Sequence, residues 1–155
     1  MGNINKDFIE VLSNEELKAT QLQLDTAVSE LIEIGTQRES VYGDKAVLAK
    51  RARELQSEIQ LAESDAIMNV QGSGKDAYGI IGNRKIFLTN DTARDAYRRE
   101  ASRKEREELA QVEGQLDKIN TELFKITDSF NAKAEALRGI QAKARLQAAL
   151  LESLA

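Results

Sequence analysis

Residues 109–154 carry an apolar side chain at almost every seventh position, and a second apolar series lies three residues after the first. This pattern is the a/d heptad repeat of a coiled coil, so it predicts one long helix with a narrow apolar seam. A narrow seam is buried only against another helix, which leaves little room for an active-site cleft. We therefore predict a coiled coil built to contact a partner, with oligomerisation assigned to six seam residues: Leu109, Leu116, Leu123, Phe130, Leu137 and Leu151.

The composition excludes several kinds of chemistry. The 155 residues include no proline, cysteine, histidine or tryptophan, which removes the strongest helix breaker, disulfides, thiol catalysis and the usual acid–base and metal-binding imidazole. Acidic side chains alternate with basic ones along the helices and form no recognisable acidic pair. We expect one non-enzymatic domain with no catalytic residue, metal site, cofactor or small-molecule substrate.

The chain also lacks the signals of membrane insertion or export. No apolar run approaches the roughly 20 residues of a membrane-spanning helix, and the N-terminal residues lack the apolar core of a signal peptide. We expect a cytoplasmic protein with no membrane partner.

The first helix is predicted over residues 14–70, after an N-terminal arm at 1–12 that includes Phe8 and Ile9. Ser13 and Glu16 have the spacing of a capping box, in which the hydroxyl accepts from a free amide and the glutamate reaches back. Gly43 interrupts the apolar spacing. We predict one helix with a local defect there, and a break into two helices is the alternative.

The middle of the chain changes to short apolar runs, which predict a loop and β-hairpin over residues 71–90 with a turn at Gly82-Asn83. Asn90 and its neighbours are cap candidates for a second helix over 91–154. Two long helices joined by a short hairpin fold back on each other. The predicted fold is therefore mainly α: a long antiparallel helical hairpin with a small β-hairpin at the bend, near residue 80.

Two polar residues, Lys133 and Gln147, occupy positions of the apolar seam. Such interruptions fix the register or the oligomeric state of a coiled coil. Alternatively, they mark where the partner helix has ended. The apolar C-terminal stretch through Leu154 is either an assembly surface or a frayed helix end.

Residues 71–106 form a basic section with nine basic and five acidic side chains, a net charge of +4 in a chain of net charge −4. Arginines four residues apart stack along a helix face and can follow a phosphate backbone, and nearby aromatic rings, Tyr97 among them, can stack on unpaired bases. An ordinary salt-bridged face, with Asp95 on Arg99 and Glu100 on Lys104, is the alternative. The nucleic-acid-binding residues that we predict are Arg84, Lys85, Arg94, Arg98, Arg99, Arg103, Lys104, Tyr78 and Phe87.

Two families resemble parts of this sequence. The runs AYGIIG at 77–82 and KIFL at 85–88, followed by a heptad helix, resemble the hairpin and second helix of prefoldin β-type subunits. That resemblance implies a holdase that grips unfolded polypeptides at the tips of coiled coils. The basic section and the long C-terminal extension depart from the prefoldin pattern.

The segment LTNDTARDA at 88–96, the charged heptad helix and the tail ARLQAALL at 144–151 resemble small helical proteins of bacteriophage and prophage recombination or replication modules. The pieces match in order and spacing over residues 65–151. The resemblance implies an accessory role in the host cytoplasm, helping a single-strand annealing or single-strand binding protein to handle DNA.

We therefore expect a non-enzymatic, homo-oligomeric accessory protein of DNA recombination or replication. Its basic section would contact single-stranded DNA or a DNA-binding partner, while the heptad stem assembles the protein. The alternatives are a prefoldin-like holdase and a structural or inhibitory coiled coil that binds one protein. The acidic pI, about 5.1, argues against tight independent binding to DNA.

Overall fold

The computed structural model describes residues 11–155 and has two long helices packed against each other, with a two-stranded antiparallel sheet between them along the chain. The predicted helical hairpin with a small β-hairpin at the bend is confirmed. Residues 1–10, which hold most of the predicted arm, lie outside the described residues. The elements are α1 (Asn14–Met68), a 3-10 turn (Gly74–Asp76), β1 (Tyr78–Ile81), β2 (Arg84–Phe87), α2 (Asp91–Ala101) and α3 (Arg103–Leu154).

Helix α1 begins where the capping signal predicts it. The Glu16 amide donates to the Ser13 hydroxyl at 3.2 Å, which satisfies one of the free amides of the first turn. The Glu16 carboxylate does not complete the capping box among the described hydrogen bonds, and it lies 3.6 Å from the Lys143 ammonium group. The helix passes through Gly43 without interruption, so the alternative of two separate helices is wrong.

The second helical segment differs from its prediction. Instead of one helix over 91–154, α2 ends at Ala101 and α3 begins at Arg103. The Ser102 residue between them has a φ of −107° and a ψ of 12°, outside the helical range. The start of α2 is as predicted, because the Asn90 side chain accepts a hydrogen bond from the Ala93 amide at 2.8 Å.

The hairpin turn also agrees with its sequence signal. Strands β1 and β2 pair with Tyr78 opposite Phe87 and with Ile81 opposite Arg84. Gly82 has a φ of +60°, and no non-glycine residue of the described chain has a positive φ. A positive φ at the first turn residue alone is the pattern of a type II′ turn, which suits the twist of a two-residue hairpin.

The chain divides into two compact units. The stem unit consists of the described residues up to Tyr42 together with Thr121–Ala155, and the bend unit is Gly43–Asn120. The core of the bend unit is built from Ala52 and Leu55 of α1 and Val112 of α3, with Leu48, Leu109 and Leu116 packed around them. Leu55 is completely buried, so the two helices bury their seams on each other here.

In the stem unit the two polar seam residues, Lys133 and Gln147, each contact a residue of the N-terminal part of the chain. The Lys133 ammonium group lies 2.8 Å from the Glu30 carboxylate of α1. The buried Gln147 side-chain amide donates to the Val11 carbonyl at 3.1 Å. Lys133 therefore stabilises the antiparallel register within one chain. Gln147 contacts a residue that precedes the start of α1 at Asn14, so it marks the end of the partner helix, as the alternative predicts.

The six seam residues assigned to oligomerisation are mostly used inside the chain. Leu109 and Leu116 pack on the bend-unit core, and Leu123 is buried. The Phe130 ring lies 4.4 Å from the Arg38 guanidinium of α1, and Leu137 is half-buried. Only Leu151 of the six is classed as exposed, so it is the member most open to a second copy.

Candidate nucleic-acid interface

All nine predicted nucleic-acid-binding residues lie in the bend unit, on four successive elements. The nine residues fall within one stretch of 27 sequence positions, from Tyr78 to Lys104, because only short connections separate the four elements. Tyr78 is on β1, and Arg84, Lys85 and Phe87 are on β2; Arg94, Arg98 and Arg99 are on α2, and Arg103 and Lys104 begin α3.

Tyr97 is the residue that positions the hairpin. Its ring is 3% exposed, and its hydroxyl donates to the Ala66 carbonyl near the end of α1 at 2.8 Å. A Cβ atom added at Gly79 would lie 2.2 Å from Cζ of this ring, so the glycine allows β1 to lie directly on it. The prediction that Tyr97 stacks on bases is wrong, because the ring is enclosed by the fold.

The break between α2 and α3 is held by a small polar cluster. The fully buried Ser102 hydroxyl donates to the Glu63 carboxylate at 3.0 Å and accepts from Arg106 Nε at 2.8 Å. Arg106 also forms an ion pair with Glu63. The hydroxyl, carboxylate and guanidinium satisfy one another, which offsets the cost of burying a polar side chain at this position.

This cluster gives the bend unit a dependence on pH. The hydrogen bond from Arg106 lowers the pKa of Glu63 from its ordinary 4.5, with a smaller contribution from the Ser102 hydroxyl, while burial opposes the shift. Because the folded pKa is the lower one, the stabilisation is present above about pH 4.5 and is lost as the pH falls through the folded value. In the Glu63→Gln variant we expect the free energy of unfolding to fall less steeply than in wild type as the pH becomes acid.

The measurement is urea unfolding of both proteins at several pH values between neutral and acid. At neutral pH we expect the variant to be less stable by roughly 1 kcal/mol, from loss of a charged hydrogen bond at a partly exposed site. Glu122→Gln, at an exposed position without an ion pair among residues 11–155, is the matched control. If the free energy of unfolding falls equally steeply at acid pH in wild type and Glu63→Gln, the role assigned to the cluster is contradicted.

Three of the predicted arginines are held by acidic neighbours. Arg94 lies 3.7 Å from Asp91, and Arg98 pairs with Asp95. Arg103 pairs with both Glu100 and Glu107, and these carboxylates raise its pKa. A phosphate group that approaches these guanidinium groups competes with a carboxylate for each of them.

The acidic partners are not those of the salt-bridged alternative. Asp95 pairs with Arg98 rather than Arg99, and Glu100 pairs with Arg103 rather than Lys104. Each observed pair is three residues apart instead of four, both inside the unbroken helix α2 and across the break at Ser102. Within residues 11–155, Arg99 and Lys104 are left exposed without an ion pair.

The position of Arg99 on α2, on the face opposite the buried Tyr97, explains why its side chain is exposed. Arg99 follows Tyr97 by two residues, about 200° around a helix, and Tyr97 is the buried residue of α2. Arg99 therefore points away from the hairpin contact. Arg84, in the first position of β2, is likewise exposed and has no ion pair among the described residues.

Helix α1 adds four cations to the bend unit, of which Lys50 and Arg53 are exposed without an ion pair among residues 11–155. Of Lys45, Lys50, Arg51 and Arg53, Arg51 is occupied by Glu108 at 2.8 Å and by Glu58 at 3.1 Å. Both carboxylates raise the pKa of its guanidinium. Arg51 is thus part of the helix-to-helix contact and is not free for DNA.

A groove beside α2 was missed by the sequence reasoning. It has a volume of about 700 Å³, and its apolar lining is formed by Ile67, Val70, Ala77 and Leu88. Arg94 and Arg98 line it too, each with its aspartate. The exposed Ile67 lies next to the last residue of α1, and a single apolar residue at a helix end is too weak a signal to predict a groove.

Comparisons with known proteins do not assign this arrangement to a family. No family model matches the chain, and no similar curated protein or solved structure was found. Within the part of the chain that the structure describes, no cluster of acidic residues could hold a metal ion, and no helix is long and apolar enough to cross a membrane.

Proposed function

We propose that this chain is a non-enzymatic accessory protein of DNA recombination or replication, of the kind encoded by bacteriophages and prophages, and that its bend unit contacts DNA. The observation that supports this most is that three exposed cations of the predicted site, Arg84, Arg99 and Lys104, have no ion pair among residues 11–155. Free cations bind phosphate oxygens without first losing a carboxylate, and their binding releases counterions from the DNA.

The opposite charge of the rest of the chain explains why the role is accessory. Outside the basic section the net charge is −8, because the whole chain has −4 and residues 71–106 have +4. An acidic remainder repels DNA and weakens binding. The contact is therefore most useful when a single-strand binding or annealing protein holds the same DNA in the cytoplasm, or offers an acidic tail to the same cations.

Fluorescence anisotropy with a labelled single-stranded oligonucleotide, and with duplex DNA of the same length, tests the DNA contact. We expect binding at low salt that weakens steeply as salt is added. An unchanged anisotropy at low salt, with protein in large excess, would rule out direct DNA contact and leave a protein partner as the ligand of the basic section.

A prefoldin-like holdase is the second candidate, and exposed apolar side chains of the bend unit favour it. Ile67, Met68, Ile80 and Phe87 are all largely exposed, and such residues bind unfolded polypeptides. Suppression of the aggregation of a heat-denatured enzyme measures this activity. A holdase would retain it in the triple charge reversal of Arg84, Arg99 and Lys104, whereas DNA binding would be lost.

Assembly into a homo-oligomer is part of the proposal. In the stem unit Leu146, Leu151 and Leu154 of α3 are exposed, and a second copy is the simplest partner that would cover them. Light scattering coupled to size exclusion measures the mass directly. A monomer at every concentration would contradict assembly through this end of α3.

A further inference from the structure

The β-hairpin presents one of its two faces to solvent. Directly paired residues of an antiparallel sheet share a face, so Tyr78 and Phe87 lie on the same side as the pair Ile80 and Lys85. The opposite face holds Gly79, which rests on the Tyr97 ring. On the outer face Ile80 is 48% exposed and Phe87 is 57% exposed.

One ring of this outer face is held by polar neighbours, and the other contacts only that ring among the described aromatic pairs and is the more exposed. The Lys85 ammonium group lies 4.6 Å from the centroid of the Tyr78 ring, and the Tyr78 hydroxyl donates to the Gln71 side chain at 2.8 Å. The Phe87 ring is 6.2 Å from the Tyr78 ring and tilted by 59°. Tyr78 and Lys85 therefore order the surface, and Phe87 offers its ring to a ligand.

The charge around the outer face indicates the ligand. Lys85 lies on this face, and the surrounding section has a net charge of +4. Arg84, the neighbouring residue of β2, lies on the opposite face of the hairpin with Ile81. A flat apolar ring beside cations suits a ligand that has flat apolar rings and negative charge. Nucleic acid combines these features, but the bases of a duplex are stacked on both sides and have no free ring face.

We infer that the outer face of the hairpin binds unpaired bases, with Phe87 as the stacking residue, and that this contact makes the protein prefer single strands over duplex DNA. The inference rests on the proposed DNA-binding function and adds its strand preference. The phosphate contacts of Arg84, Arg99 and Lys104 act on both kinds of DNA. The Phe87 contact acts on unpaired bases alone.

Phe87→Ala tests the inference, measured with oligo-dT that carries one 2-aminopurine and with a duplex of equal length. We expect single-strand affinity to fall roughly tenfold, as for loss of one base–aromatic stack, with duplex affinity unchanged. Quenching of 2-aminopurine fluorescence, the signal of stacking, should disappear in Phe87→Ala and return in Phe87→Trp. Phe124→Ala, which removes a 76% exposed ring from the stem unit, is the matched control and should behave as wild type.

The outcomes separate the two claims. Wild-type protein that binds neither oligonucleotide would overturn the proposed DNA contact and this inference together. Wild-type protein that binds DNA, while Phe87→Ala binds single strands equally well and still quenches 2-aminopurine, would overturn the inference alone. Equal losses for single strands and duplex would also overturn it, because the ring would then support the fold of the site rather than contact bases.

Discussion

Replacement of Arg84, Arg99 and Lys104 by glutamate is expected to lower the affinity for single-stranded DNA by about 100-fold at low salt. These side chains are exposed and have no ion pair within residues 11–155, so their reversal replaces three phosphate contacts by three repulsions without breaking a described ion pair. The slope of log affinity against log salt should shrink by about 2, since each lost contact with a single strand removes about 0.7.

A matched reversal in the stem unit controls for the change in net charge. Lys18, Lys125 and Arg145 are exposed and have no ion pair among the described residues, and their reversal alters the charge by the same amount. We expect that variant to lose less than about threefold in affinity, through long-range repulsion that salt screens. Equal losses in the two triple variants would mean that net charge, rather than the bend unit, governs binding.

The second large effect is on stability, and it comes from one methyl group. Gly79→Ala places a Cβ atom 2.2 Å from the Tyr97 ring, and that ring is buried and tied to Ala66 by its hydroxyl. We expect the bend unit to lose about 3 kcal/mol in free energy of unfolding, at the upper end of the cost of overpacking. Urea unfolding followed by circular dichroism measures the loss.

A double-mutant cycle with Tyr97→Leu assigns that cost to the ring. Tyr97→Leu removes the atoms that a Cβ at position 79 would meet, so Gly79→Ala should cost less than about 1 kcal/mol in that background. The same cost in both backgrounds would show that the strand, rather than the ring contact, demands glycine. Gly114→Ala, where nothing lies within 4 Å of an added Cβ, should not destabilise the protein, because alanine is the better helix former in α3.

The fold was predictable because its signals are local or periodic. The heptad series predicts α3 and its seam, Ser13 and Asn90 cap helices as their side chains suggest, and Gly82 forms the predicted turn. Each signal depends on residues a few positions apart. The antiparallel arrangement then follows from two seams and one short connection.

The details of the site depend on contacts between distant residues, and the sequence could not supply them. Ser102 fits a helical pattern on its own, and its break appears only with Glu63 and Arg106 around it. Tyr97 resembles an exposed ring until Gly79 lies on it. The choice of salt-bridge partner is likewise not visible in the sequence: Glu100 pairs with Arg103 rather than Lys104, which leaves Lys104 without an ion pair among residues 11–155.

Amide chemical-shift mapping of the whole chain with a single-stranded oligonucleotide tests the location of the interface most directly. We expect the shifts to concentrate between residues 75 and 104, at the hairpin, α2 and the first turn of α3, and the stem unit to change little. Shifts confined to the stem unit, or no shifts at low salt with DNA in excess, would contradict a DNA interface on the bend unit.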